Sequence, residues 1–303
     1  MQKNKNRNGF LRNWRLYAMF MPAAILLIVF CYMPMYGIVL AFKDFNPRLG
    51  ILGSEWIGLV NFKEIFGDPY FKTVLTNTLK ISILKCIFSF PVPIILALLL
   101  NEVKHSGFKR VVQTVSYLPH FISWVIISGI LVDICSIDGG IVTNLIENLT
   151  GVTMNFFGNS NHFIALLVVS EIWKGAGWGT IIYFAAISGV DPALYEASLV
   201  DGANRFQRMR YITLPALVPA IGINLIFTCS SLLSAGFDQI FNLYNPVVYE
   251  GADIIDTYIY RIGVTNGNYG TSTALGLFNS VIGITLLLTV NKMIKKMGGS
   301  GIW

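Results

Sequence analysis

Charge is what this sequence has least of. Charged residues make up 13% of its 303 positions, against about 25% in an ordinary soluble domain. With 54% hydrophobic residues and a mean hydropathy of +0.62, the composition is that of a polytopic membrane protein. The net charge of +6 does not point to nucleic acid, because the basic residues fall in short loops between apolar runs rather than in one patch. Catalytic and ligand-binding motifs are equally scarce. There is no GxxxxGK[ST] to cradle ATP phosphates, and no HExxH or GxSxG. Cys31, Cys86, Cys135 and Cys229 have no ligand spacing and lie mostly in apolar runs, where they read as small packing residues. His105, His120 and His162 are far apart. No metal site, cofactor or catalytic residue is expected. There is no visible internal repeat or low-complexity tract. The N-terminal apolar run is too long for a cleavable leader, and no small-residue cleavage pattern follows it.

What the chain does contain is long apolar runs in alternation with polar ones. A basic tail, residues 1–15, holds Lys3, Lys5, Arg7, Arg12 and Arg15 and no acid. Six transmembrane helices are expected at about 16–42, 73–100, 111–131, 163–190, 213–237 and 272–290, each long enough for a hydrocarbon core of roughly 30 Å. Pro22 and Pro34 are expected to kink or end the first, and Pro91 and Pro93 to break the second. Between these two, Trp56, Leu59, Phe62, Ile65 and Phe66 recur at helical spacing, as in a short helix lying in the membrane interface. A polar stretch, residues 191–215, separates spans four and five, and a tail, residues 291–303, closes the chain. The N-tail, the second and fourth loops and the C-tail together carry 14 of the 22 basic residues, and the other three loops carry 5. By the positive-inside rule both termini and the 191–215 loop are cytoplasmic. The expected architecture is thus all-α, a six-helix membrane domain over residues 16–290.

The 191–215 loop is the most informative stretch. Asp191-Pro192 is a helix start: an N-cap acceptor followed by a proline at the first helical position. Ala193, Glu196, Ala197 and Val200 then form a short helix with a small-residue face, and Gly202 is suited to the left-handed turn that ends one. Arg205, Arg208 and Arg210 follow, and Pro215 opens the next span. Physical reasoning leaves two roles for it, an amphipathic connector at the headgroups or a docking element for a partner.

Within the spans, Glu171 and Lys174 are three apart on one helix face, a spacing that allows them to pair. Trp173 lies between them, and Trp178 shares the Lys174 face. Gly175, Gly177 and Gly179 make this stretch easy to bend. Lys80 and Lys85 are the other charges inside spans. Each costs roughly 2.5–3.5 kcal/mol at the membrane centre, so each needs a reason. Structural pairing or snorkelling competes with a place in a substrate path.

The spacing Glu196-Ala197-Ser198, Gly202, Ile212, Leu214-Pro215 matches E-A-(A)-x3-G-x9-I-x-L-P and resembles the signature loop of binding-protein-dependent ABC importer permeases. Asp201 and Ala203 match the family's D-G-A, and Ser198 replaces the usual Ala. Further stretches resemble the carbohydrate branch: Met33–Gly37, Ala41–Phe45, Trp56–Phe62, Pro91–Asn101, Tyr117–Phe121, Ile172–Lys174, Asp256–Tyr258 and Gly301–Trp303. The resemblance implies a MetI-like type I importer permease in a bacterial cell membrane that translocates oligosaccharides, in particular plant-polysaccharide fragments such as those of rhamnogalacturonan. It implies a second homologous permease, a cytoplasmic ABC ATPase dimer docked on the loop, and an extracellular solute-binding protein or lipoprotein. Glu196 would then pair with a basic residue of the ATPase. Were acidic sugars carried, Lys80, Lys85 or Lys174 would be placed to meet a carboxylate. The alternatives are a permease for another solute, a secondary transporter, which needs midplane carboxylates and inverted repeats, and a non-transporting scaffold.

Overall fold

The computed structural model describes residues 13–296, 298, 301 and 302. Most of the basic N-terminal tail, and Trp303 of the C-terminal motif, lie outside the described residues. The architecture is helical, as expected. The described strands are two-residue pieces, Lys43–Asp44 and Glu55–Trp56, paired antiparallel with Lys43 opposite Trp56. The chain divides into two compact units, residues 1–65 with 262–277 and residues 66–261 with 278–303.

The first unit opens on the 29-residue apolar helix Trp14–Phe42. Neither proline interrupts it. Pro34 cannot bond back to residue 30 and its ring crowds that carbonyl. The helix answers by widening to a π-turn over Ile28–Tyr32, then tightening to a 3₁₀ form over Met33–Phe42. A loop folds back beneath the helix end. Lys43 Nζ donates to the carbonyls of Ile51 at 2.7 Å and Ser54 at 3.1 Å. Asn61, itself buried, donates to the carbonyl of Ala41 at 2.9 Å. Phe42 and Trp56 stack at 5.7 Å. The expected short helix with exposed apolar residues is Val60–Gly67, with Leu59 and Phe66 exposed.

The second unit is built around one long helix, Ser160–Ser188, which packs against Pro69–Ser89, Pro91–Glu102, Ser106–Tyr117 and Leu214–Ser230. At one end Phe163, Ile164 and Leu167 pack with Ile81, Ile240, Leu243, Val248 and Ile254. At the other, Tyr183 and Ile187 pack with Ala97 and Leu217. Gly177 lets the helix press against the backbone of Ser116, where any Cβ would collide. This glycine thus serves close packing, and the helix runs unbroken through it.

Among the described residues four helices are long and apolar enough to cross a membrane: Trp14–Phe42, Pro69–Glu102, Arg205–Ser230 and Tyr269–Lys296. A fifth crossing exists if Ser106–Phe121 and Trp124–Ile134 count as one span. That pair, where the third span is expected over 111–131, is bent by 99°. Pro119 lies in the tight turn before the bend, and Ser123 restarts the helix by accepting from the Ile126 N–H. The Ser160–Ser188 helix is long enough, but Glu171, Lys174 and the glycines dilute its apolar character. The expected fifth span ends early, at Ser230, because Ala235 and Gly236 turn the chain with positive φ values of 47° and 90°.

Candidate functional site

The loop expected at 191–215 forms as its caps dictate. Asp191 accepts from the Ala193 N–H at 2.9 Å, and the helix runs Pro192–Val200. It closes in a Schellman turn, with Ala203 N–H on the Ser198 carbonyl at 2.9 Å and Gly202 N–H on that of Leu199 at 3.1 Å. Gly202 holds φ +77°, a conformation that costs an L-residue roughly 1–2 kcal/mol. A reciprocal capping box between Asn204 and Gln207 starts the return segment, and Tyr195 bonds to Thr213 across the two arms at 2.9 Å. Glu196 and Ala197 are exposed on the short helix, Ser198 is half-buried, Asp201 and Gly202 are exposed in the turn, and Ala203 is half-buried beside them. Ile212, Leu214 and Pro215 carry the chain into the next helix. No residue of the Pro192–Val200 helix is buried. Leu194, Leu199 and Val200 are bare, Val200 at 88%.

Between the helices of the second unit lies a cleft of about 420 Å³, lined by polar residues that include Ser82, Lys85, Glu171, Thr228, Ser231 and Ser234. Lys85 pairs with Glu171 at 3.5 Å. It also donates to the Ala235 carbonyl at 2.8 Å and to Gln239 Oε1. Gln239 is fully buried, and its amide nitrogen donates to the Leu167 carbonyl and to Ser170 Oγ, both at 2.8 Å. Those two acceptors turn the amide so that its oxygen faces the ammonium. Gly236 completes the nest: a Cβ there would approach Lys85 Nζ to 2.7 Å.

Lys174 does a different job. Its ammonium donates to the carbonyls of Pro119 at 3.3 Å, His120 at 2.9 Å and Ile122, and lies 5.4 Å from the Trp124 ring centre. These carbonyls lie in the turn at the 99° break, where the regular helix ladder stops. Lys174 therefore staples the bend, and Glu171 pairs with Lys85 rather than with Lys174. Trp178 stacks on His120 at 4.3 Å and 2°. Trp173 is 53% exposed on another face. Lys80 is exposed and borders a separate apolar groove with Leu84, Phe88 and Val168. Of the expected path residues, Lys85 and Glu171 meet in the cleft, and Lys80, Trp173, Lys174 and Trp178 do not line it.

Sequence reasoning missed a third assembly. Asp253 is fully buried and holds Arg261 in a two-point ion pair. It also accepts from Tyr70 and Thr257, each at 2.7 Å. The Arg261 guanidinium lies 4.9 Å from the Tyr249 ring centre and 5.5 Å from that of Tyr258, and Tyr258 donates to Asp68. Burial alone would lower the Arg261 pKa, but its hydrogen bonds and attraction to Asp253 reverse the sign and raise it. Burial and the Asp68 acceptor likewise raise that of Tyr258. One signal was available: Arg261 is the lone basic residue between Arg210 and Lys292.

The comparisons with known proteins agree with the resemblance. The chain is 46% identical over 288 residues, 95% of its length and 90% of the other's, to the polygalacturonan/rhamnogalacturonan transport system permease protein YteP of Bacillus subtilis (strain 168). It superposes with TM-score 0.90 and 39% identity on a chain of a bacterial alginate ABC transporter in complex with an alginate pentasaccharide-bound periplasmic protein, covering 99% of this chain and 100% of that one. A second structure, of a bacterial ABC transporter involved in import of the acidic polysaccharide alginate, matches with TM-score 0.87 and 41% identity over 95% and 98% of the two chains. Residues 89–296 match the family described as binding-protein-dependent transport system inner membrane component. That stretch covers more than half of the sequence and contains both the loop and most of the central cleft, and the chain belongs to this family of multi-pass ABC importer permeases, which are transport proteins and not enzymes.

Proposed function

We propose that this chain is one of two permease subunits of an importer for acidic oligosaccharides, driven by a separate ATPase that docks on the 191–215 loop. The observation that carries the reading is the Pro192–Val200 helix: capped and closed by its own residues, it buries none of them and leaves Leu194, Leu199 and Val200 bare. A connector packed on its own spans would turn such residues inward, and the polar Glu196 beside them favours a protein partner over the membrane surface. With Glu196 and Ala197 exposed on it, the helix fits a cleft in a partner. ATP-driven closure of the partner would move the helix and, through Gly202 and the Tyr195–Thr213 bond, tilt the return span. Six crossings complete this reading, with both termini and the loop on the cytoplasmic side. The 29-residue Ser160–Ser188 helix spans about 43 Å at 1.5 Å per residue, and a helix walled by protein needs no all-round apolar surface. The partners are a second permease, an ATPase dimer and an extracellular solute-binding protein.

The acidic substrate class rests on Lys85, a cation lining the cleft against Glu171, and on the named cargo of the relatives. The test is uptake by the reconstituted complex with its binding protein, comparing galacturonate oligosaccharides with neutral ones of equal length. Acidic sugars should be taken up and should stimulate ATP hydrolysis, and Lys85→Met should erase the preference, whereas Lys174→Met should lower both uptakes alike by loosening the bend. Equal uptake of neutral sugars by the wild type would sink the substrate assignment. A complex that hydrolyses ATP normally with Glu196→Lys would sink the docking assignment.

A further inference from the structure

Behind the loop there is a second cleft, of about 530 Å³, whose lining shares Pro192, Tyr195 and Glu196 with the short helix and adds the basic residues of the neighbouring segments. Its rim carries four cations, Lys104, Lys109, Arg205 and Arg208, and two acids, Glu102 and Glu196. Among the described residues the ion pairs are Lys85–Glu171 and Arg261–Asp253, so none of these six charges is neutralised by another. Arg208 Nε is buried and has no hydrogen-bond partner, and an unpaired buried donor costs about 1–3 kcal/mol, more when charged, so the Arg208 guanidinium is left under-satisfied at this cleft. The walls behind the rim are apolar, from Val103, Phe184, Ile187, Val190 and Pro192, and Lys109 lies 4.8 Å over the Phe184 ring.

The position of the cleft narrows the class of acceptor. The apolar helix Pro69–Glu102 ends at it and Arg205–Ser230 begins at it, so it opens at the level where a membrane span meets the headgroups. A cationic rim over apolar walls at that depth matches a phospholipid: an anionic phosphate for the rim, glycerol and the first methylenes for the walls. Two arginines suit a phosphate because each offers parallel N–H donors to two of its oxygens. We infer that this cleft binds the headgroup of an anionic phospholipid, with Arg205 and Arg208 on its phosphate, and that the lipid thereby steadies the return arm of the loop. The inference does not require the docking assignment, since the cleft and its charges belong to this chain alone.

Native mass spectrometry of the detergent-purified transporter, with its partner subunits, tests this after exchange into mixtures of phosphatidylcholine and phosphatidylglycerol. The wild type should retain phosphatidylglycerol in preference to phosphatidylcholine. Arg205→Gln with Arg208→Gln should weaken the apparent affinity for phosphatidylglycerol about tenfold, equivalent to ~1.4 kcal/mol. Arg208→Lys should recover only part of it, and Lys292→Gln, a basic residue elsewhere, should leave it unchanged. Lys104→Gln with Lys109→Gln, on the opposite wall, gives an independent reading should the arginine pair fail to fold. Equal retention of the two lipids by the wild type, or undiminished retention in both double variants, overturns the assignment. So does displacement of the lipid by excess inorganic phosphate, which would mark a free-anion site. Lipid retained on the permease alone but excluded when the ATPase is bound would mark a protein interface and overturn it too.

Discussion

Two polar excursions of the second unit, residues 191–215 and residues 238–261, are built on opposite plans. The first buries no residue of its main helix and leaves apolar side chains bare. The second hides a carboxylate completely, pairs it with a guanidinium and wraps that in three tyrosines. The loop is internally satisfied at its caps and unsatisfied at its surface, which is what a part made to meet a partner requires. The 238–261 segment is satisfied by its own unit, being tied to the Pro69–Ser89 helix by Tyr70, Asn77 and Thr78. On the proposed reading one region is completed by another molecule and the other is complete already, so substitutions should separate stability from function between them.

The largest stability effect should come from Arg261→Ala. It leaves Asp253 charged and fully buried with only neutral donors, and breaking a buried pair in this way costs about 3–5 kcal/mol. Thermal unfolding of the purified protein should fall accordingly. The double variant Arg261→Leu with Asp253→Asn should recover most of the loss, because it removes the stranded charge. If Arg261→Ala unfolds like the wild type, the clamp is not what fixes this segment. Gly202→Ala comes next. Its cost is roughly 1–2 kcal/mol for the left-handed backbone, confined to the loop, and the space around the position is open. Global unfolding should hardly move, while sugar-stimulated ATP hydrolysis by the complex drops. The reverse pattern would mean that the loop belongs to the stable core.

The difference between the two regions also explains what was legible in the sequence. The loop could be read because its determinants are local: an Asp-Pro start, a glycine stop and fixed spacing all lie within residues 191–215. The clamp could not, because Asp253, Arg261 and Tyr70 come together over a separation of more than 180 residues. The central helix shows the same divide. Spacing of three put Glu171 beside Lys174, but Glu171 pairs with Lys85 on another helix, and Lys174 turns to carbonyls at a break more than 50 residues earlier. Pro119 is the one local mark of that break, and hydropathy does not register a turn whose exposed carbonyls are satisfied by a side chain from a later helix. Five of the expected spans have apolar helical counterparts, the third of them broken. The expected span at 163–190 has a helix, Ser160–Ser188, that is long enough but whose apolar signal is diluted by Glu171, Lys174 and the glycines.

The smallest stability effect, and the sharpest test of the contrast, should be Val200→Ser. Val200 is 88% exposed, so the isolated chain loses almost no burial, and its unfolding should stay within about 0.5 kcal/mol of the wild type. In the docked complex the same side chain would be covered, and truncating a buried aliphatic residue there removes roughly 1 kcal/mol or more of contact. The expected result is an unchanged permease whose ATPase subunits dissociate about five- to tenfold more readily in a copurification or binding assay. A measurable fall in the stability of the isolated chain would mean that Val200 already has a partner within it; unaltered ATPase association would mean that the bare face of this helix is covered by lipid headgroups.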